Sequence, residues 1–137
     1  MQVFQTAEQL YKVLNDLFKQ VSENPKNIET FTRSNLVIRL RTSEPEAELL
    51  LDGRQPPLEV FFGPRPGAAN LEISLPATLL HRMWTGIESS SNAFFSGKVK
   101  VKGNMLKAIQ LFELFEEAER LYPQVAQSHG IATGRNP

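Results

Sequence analysis

The sequence predicts an α+β domain: a five-stranded sheet with helices packed on one face, in the order helix-β-β-β-β-helix-β-helix. Three observations lead there. Apolar residues recur at helical spacing near both ends of the chain and briefly in the middle. Between those segments the period changes to two. Each period change falls at proline, glycine or a capping residue.

The first helix opens on Thr6-Ala7-Glu8-Gln9, which has the spacing of a capping box. Leu10, Val13, Leu14, Leu17, Phe18 and Val21 then share one helical face, and Asn24-Pro25 is read as its stop. From Asn35 onward Leu36, Ile38 and Leu40 alternate with Val37, Arg39 and Arg41. The second strand sets Ala47, Leu49 and Leu51 against Glu48, Leu50 and Asp52, the third sets Leu58, Val60 and Phe62 against Glu59 and Phe61, and the fourth sets Leu71, Ile73 and Leu75 against Glu72 and Ser74. Pro76 suits the first turn of a short helix carrying Leu79, Leu80, Met83 and Trp84, which Thr85-Gly86 ends. Glu88 to Asn92 reads as a polar loop. The stretch Ala93 to Met105 reads as the fifth strand, with Lys98, Lys100 and Lys102 alternating with Val99 and Val101. Asn104 caps the last helix, which Pro123 is expected to kink or end. The domain is therefore placed at residues 1–122, with a frayed tail at 123–137.

Composition removes several function classes. The chain has 137 residues, 41% of them hydrophobic, which suits one folded domain. Fifteen basic residues balance fifteen acidic ones, so long-range attraction to nucleic acid or an anionic membrane is not expected. The lysine row reads as the wet face of the sheet, because the aromatics needed to stack bases are missing from that face apart from Phe61. There is no cysteine for thiolate chemistry or disulfides, and no His/Cys cluster for zinc. The chain lacks a signal peptide pattern and an apolar run of membrane-spanning length, so a cytoplasmic protein is expected.

Catalysis finds no residues to carry it. A hydrolase needs a nucleophile beside an oriented base. Only His81 and His129 exist; the first is read as a surface or partly buried structural residue and the second lies in the tail. Ser89 to Ser91 lack nucleophile-elbow glycines, and Gly97 and Gly103 form no phosphate loop. Glu113, Glu116, Glu117 and Glu119 read as a solvated helix face. No enzyme activity, cofactor or metal is expected. Function is left to apolar residues. Met105, Ile109, Phe112 and Phe115 make the stripe of the last helix wide, and with Met83 and Trp84 they suit either plain core or a cavity wall.

The block Thr85 to Leu111 resembles the C-terminal signature of the sterol carrier protein 2 family. Its most specific parts are Ala93-Phe94-Phe95-Ser96-Gly97 and Gly103-Asn104-Met105, at the two ends of a lysine-valine strand. Element order extends the resemblance over about residues 5 to 121. The resemblance implies an apolar cavity between sheet and helices that holds sterol, fatty acid, fatty acyl-CoA or phospholipid without chemistry. On that basis Leu80, Met83, Trp84, Phe94, Met105, Ile109, Phe112 and Phe115 are the candidate lipid-binding residues. The expected partner is a lipid ligand, with no nucleic acid and at most transient membrane contact. The alternative is an accessory domain with a filled core that binds a partner protein or enzyme. The final residues, Gly134-Arg135-Asn136-Pro137, are no peroxisomal address, which suits a bacterial cytosolic or otherwise non-peroxisomal protein.

Overall fold

The computed structural model describes residues 3–55 and 58–131; of the helical residues 28, 30, 31, 34, 105 and 107–114 it describes the backbone alone. Helices α1 (Ala7–Ser22) and α2 (Pro25–Ser34) precede strands β1 (Val37–Ser43), β2 (Ala47–Asp52), β3 (Glu59–Phe62) and β4 (Leu71–Pro76). Helices α3 (Ala77–Trp84) and α4 (Ser90–Phe95), strand β5 (Lys100–Gly103) and helix α5 (Met105–Ser128) follow. The strands form one five-stranded sheet in the order β3-β2-β1-β4-β5. β1 and β4 are parallel, and the other neighbours are antiparallel.

Local chemistry explains most of the boundaries. The Thr6 hydroxyl accepts from the Gln9 amide at 3.1 Å, while Gln9 Oε1 reaches back to the Gln5 amide at 2.7 Å, closing the expected capping box one residue early. The Asn104 side chain accepts from the Leu106 amide at 3.0 Å and starts α5. Leu10, Val13, Leu14, Leu17, Phe18 and Val21 of α1 are all buried, as their spacing requires.

Three expectations give way. Asn24-Pro25 ends α1 but also opens α2: the Asn24 side chain accepts from the Lys26 amide, and proline is favoured in a first helical turn because no amide is missed there. The stretch from Ala93 is not strand throughout. Ser89 caps the short helix α4, which contains Phe94 and Phe95, and pairing begins only at Lys100. Helix α5 continues through Pro123 to Ser128. The proline removes one hydrogen bond, at a cost of about 3 kcal/mol. Burial of Tyr122, Val125 and Ala126 on the same helix offsets it, at roughly 1.5–3 kcal/mol for each large side chain.

The core lies between the inner sheet face and α1, α3 and α5. Leu36, Ile38, Leu40, Leu49, Leu51, Leu71, Ile73 and Leu75 point into it. The outer face is only partly wet. Val37, Arg39 and Leu50 are buried there, Arg39 beneath the loop between β3 and β4. Arg39 holds that loop by donating Nη2 to the Arg65 and Gly67 carbonyls, each at 2.8 Å. Its guanidinium also pairs with Glu48 at 3.5 Å and Glu72 at 3.8 Å. Arg65 in turn lies over the Phe61 ring at 3.8 Å. Lys98, Lys100 and Lys102 are exposed.

Candidate lipid site

An apolar space of about 20 Å³ lies between the layers. Leu80, Met83 and Trp84 of α3 and Phe115 of α5 form its helical wall, with Phe18 from α1. Ile38, Leu40, Leu51, Ile73 and Leu75 form the sheet wall, and Val99, just before β5, completes the lining. Every lining side chain is a hydrocarbon, a thioether or an aromatic ring. Such a wall offers a lipid chain apolar contact and offers an ion nothing. The volume is about what one water molecule needs, so a longer ligand must part the wall.

Four of the eight candidate residues, Leu80, Met83, Trp84 and Phe115, converge on this space. Phe94 is half-buried on α4, edge-on to Phe95 at 5.3 Å, and is not in the lining. Met105, Ile109 and Phe112 lie on α5, and their side chains are outside the described residues. The sheet wall and Phe18 are not among the eight candidates. Their inward period-two or helical positions were visible, but alternation marks a buried face without telling a filled core from a lined space.

Trp84 is held by aromatic neighbours. Its ring centroid lies 5.5 Å from Tyr122 and 6.0 Å from Phe115. His81, one turn earlier on α3, is buried rather than on the surface, and its Nδ1 is 2.7 Å from the Tyr122 hydroxyl. Burial pushes the Tyr122 phenol well above its ordinary pKa. The hydroxyl donates to Nδ1 or accepts from an Nδ1–H, according to the histidine tautomer. Phe4 packs edge-on against the His81 ring at 6.1 Å. These contacts fix α3 to α5. His129 sits 3.2 Å from Asp16, pairing the end of α5 with α1. Among the described residues no group of His, Cys, Asp and Glu could hold a metal ion, and no helix is long and apolar enough to cross a membrane.

The fold is a two-layer α+β domain with an apolar space between its layers. The chain belongs to the SCP-2 sterol transfer family, whose model matches residues 14–116. Solved structures agree on the fold. The sterol carrier protein domain 2 of Helicoverpa armigera is 17% identical, with a TM-score of 0.67 over 82% of this chain and 89% of that one. Apo sterol carrier protein 2 from Yarrowia lipolytica is 21% identical, with a TM-score of 0.59 over 76% and 88%. The UbiJ-SCP2 ubiquinone synthesis protein is 19% identical, with a TM-score of 0.57 over 76% and 90%. A comparison with curated proteins finds no match.

Proposed function

We propose that this protein reversibly binds and carries a lipid whose acyl or sterol body occupies the space between the sheet and helices α3 and α5. The observation that supports the reading most is the chemistry of the lining, apolar on every side and shared by helix and sheet. Leu80, Met83, Trp84 and Phe115 are the proposed wall, joined by Met105, Ile109 and Phe112 from further up α5 and by Phe94 at its margin.

Parting the wall breaks apolar contacts only, and a lipid chain replaces them with equivalent ones. Met83 adapts to varied shapes without preferring one ligand. Each buried methylene contributes about 0.8 kcal/mol, so a 16-carbon chain offers roughly 12 kcal/mol before ordering costs of about 4–15 kcal/mol. Reversible binding follows without a specific polar contact. Fatty acid, fatty acyl-CoA, sterol and phospholipid all remain within that chemistry.

Mass spectrometry of lipid co-purifying with the protein, followed by titration of the delipidated protein with the same lipids, tests the reading. Saturable binding is expected. Failure to bind any of the four classes would leave the second reading, an accessory domain with a filled core that binds a protein. The small volume of the space favours that alternative.

A further inference from the structure

Strand β5 stands at the edge of the sheet, paired with β4 alone. Its ladder fixes which backbone groups are used. The Asn104 amide donates to the Asn70 carbonyl at 3.3 Å, and the register sets Lys102 opposite Glu72 and Lys100 opposite Ser74. Alternation in an antiparallel pair then turns the amides and carbonyls of Lys100 and Lys102 toward β4, and those of Val101 and Gly103 away from it. The Val99 amide is taken by the Ala93 carbonyl at 3.2 Å, so the open edge begins beyond it. Among the described residues nothing bonds to the outward groups of Val101 and Gly103.

The side chains decide what such an edge accepts. Lys98, Lys100 and Lys102 are exposed on the outer face. Glu88 pairs with Lys98 at 3.0 Å, but Lys100 and Lys102 make no ion pair among the described residues. Glu72, opposite Lys102, is turned to Arg39 and Arg41. Arg41, Ser74 and Lys100 stand in register across β1, β4 and β5, and they line an open cleft of about 390 Å³ with no carboxylate in its described lining. A second copy is a poor occupant of this edge. Antiparallel pairing about Val101 would set Lys100 of each copy against Lys102 of the other, and like charges directly opposite are destabilising. The row that repels a like strand attracts one with carboxylates at alternate positions.

We infer that β5 takes up an extended acidic segment of another protein as a sixth strand. The backbone of that segment bonds to Val101 and Gly103, and its carboxylates, at every second residue, meet Lys100 and Lys102. None of residues 100–103 lines the apolar space, so this surface stands whether or not the protein carries lipid.

Three synthetic peptides with Gly-Ser flanks test it: Glu-Val-Glu-Val-Glu, Lys-Val-Lys-Val-Lys and Glu-Pro-Glu-Pro-Glu. The Glu-Val peptide should bind the full chain saturably in an NMR titration and be released by salt. It should also slow hydrogen exchange at the Val101 and Gly103 amides about tenfold or more. The Glu-Pro peptide has the same charge but lacks the amides that would face Val101, and should bind at least about fivefold more weakly. Lys100→Glu together with Lys102→Glu should weaken the Glu-Val peptide about tenfold and take up the Lys-Val peptide in its place. Both positions are exposed, and an unchanged unfolding midpoint would exclude a loss of fold. No binding of the Glu-Val peptide, or equal binding by the charge-reversed variant, would overturn the proposal. Equal binding of the Glu-Pro peptide without amide protection would overturn it in favour of charge attraction alone. Self-association that protects the Val101 amide without any peptide would assign the edge to a second copy and overturn it too.

Discussion

His81 Nδ1 and the Tyr122 hydroxyl lie 2.7 Å apart in the buried seam between α3 and α5. The bond joins residues 41 positions apart, and it sets the helix that presents Leu80, Met83 and Trp84 against the helix that presents Phe115. A polar pair at such a place is costly to break, because neither group can turn to water.

Tyr122→Phe removes the hydroxyl and its bond to His81 Nδ1. A loss of about 1–3 kcal/mol in urea unfolding is expected. The pH dependence has a sign. Burial raises the Tyr122 pKa in the folded state, so the native protein keeps this proton at a pH where the unfolded chain releases it. The associated stability is present below the ordinary phenol value of about 10 and is lost as pH rises above it. The parent should therefore lose stability between pH 9 and 11 more steeply than Tyr122→Phe. Parallel curves would show that Tyr122 titrates freely.

Trp84 is 1% exposed and stands in the lining of the apolar space. It is the only tryptophan, so emission reports on that wall alone. Adding fatty acid or fatty acyl-CoA to the delipidated protein should shift or quench emission saturably. Unchanged emission, with binding established by calorimetry, would place the ligand elsewhere.

Gly103 and Gly97 both adopt positive φ, 122° and 82°, but their surroundings differ. A β-carbon at 103 would collide with the backbone oxygen of Asn70, where β4 begins, and backbone yields little. At 97 nothing stands within 4 Å. Gly103→Ala should cost more than about 3 kcal/mol, or prevent folding, while Gly97→Ala should cost only the backbone strain of about 1–2 kcal/mol. Equal unfolding midpoints for the two variants would contradict the close approach of β5 to Asn70.

Arg39 holds the β3–β4 loop through the Arg65 and Gly67 carbonyls from a side chain only 9% exposed. Arg39→Met should cost about 1–3 kcal/mol, because those carbonyls lose a charged donor. Glu48 and Glu72 keep Arg41 as partner. The exposed pair Arg33–Glu29 gives the contrast: Arg33→Ala should cost about 0.5 kcal/mol or less. Limited proteolysis should cut between residues 63 and 70 faster in Arg39→Met than in the parent. Equal rates would mean that the loop is held by something else.

Residues close in sequence determined much of this protein on their own. Thr6 with Gln9, and Asn104 with Leu106, cap helices within one turn, so the caps were legible. So were the inward positions of every strand, because period two needs only neighbours, and the Ala93–Gly97 and Gly103–Met105 steps that resemble the sterol carrier family. Leu80, Met83, Trp84 and Phe115 fall on apolar helix faces, so their turning inward was legible too. Tertiary structure decided what distant segments do to one another. It set β1 parallel to β4, buried Arg39 under a loop 26 residues away, and placed His81 against Tyr122. It also carried α5 through Pro123, against the local rule, because Tyr122, Val125 and Ala126 bury there. The physical reason is common to all four. A local preference is worth at most a few kcal/mol, and burial against a partner element, which no short window of sequence contains, can outweigh it.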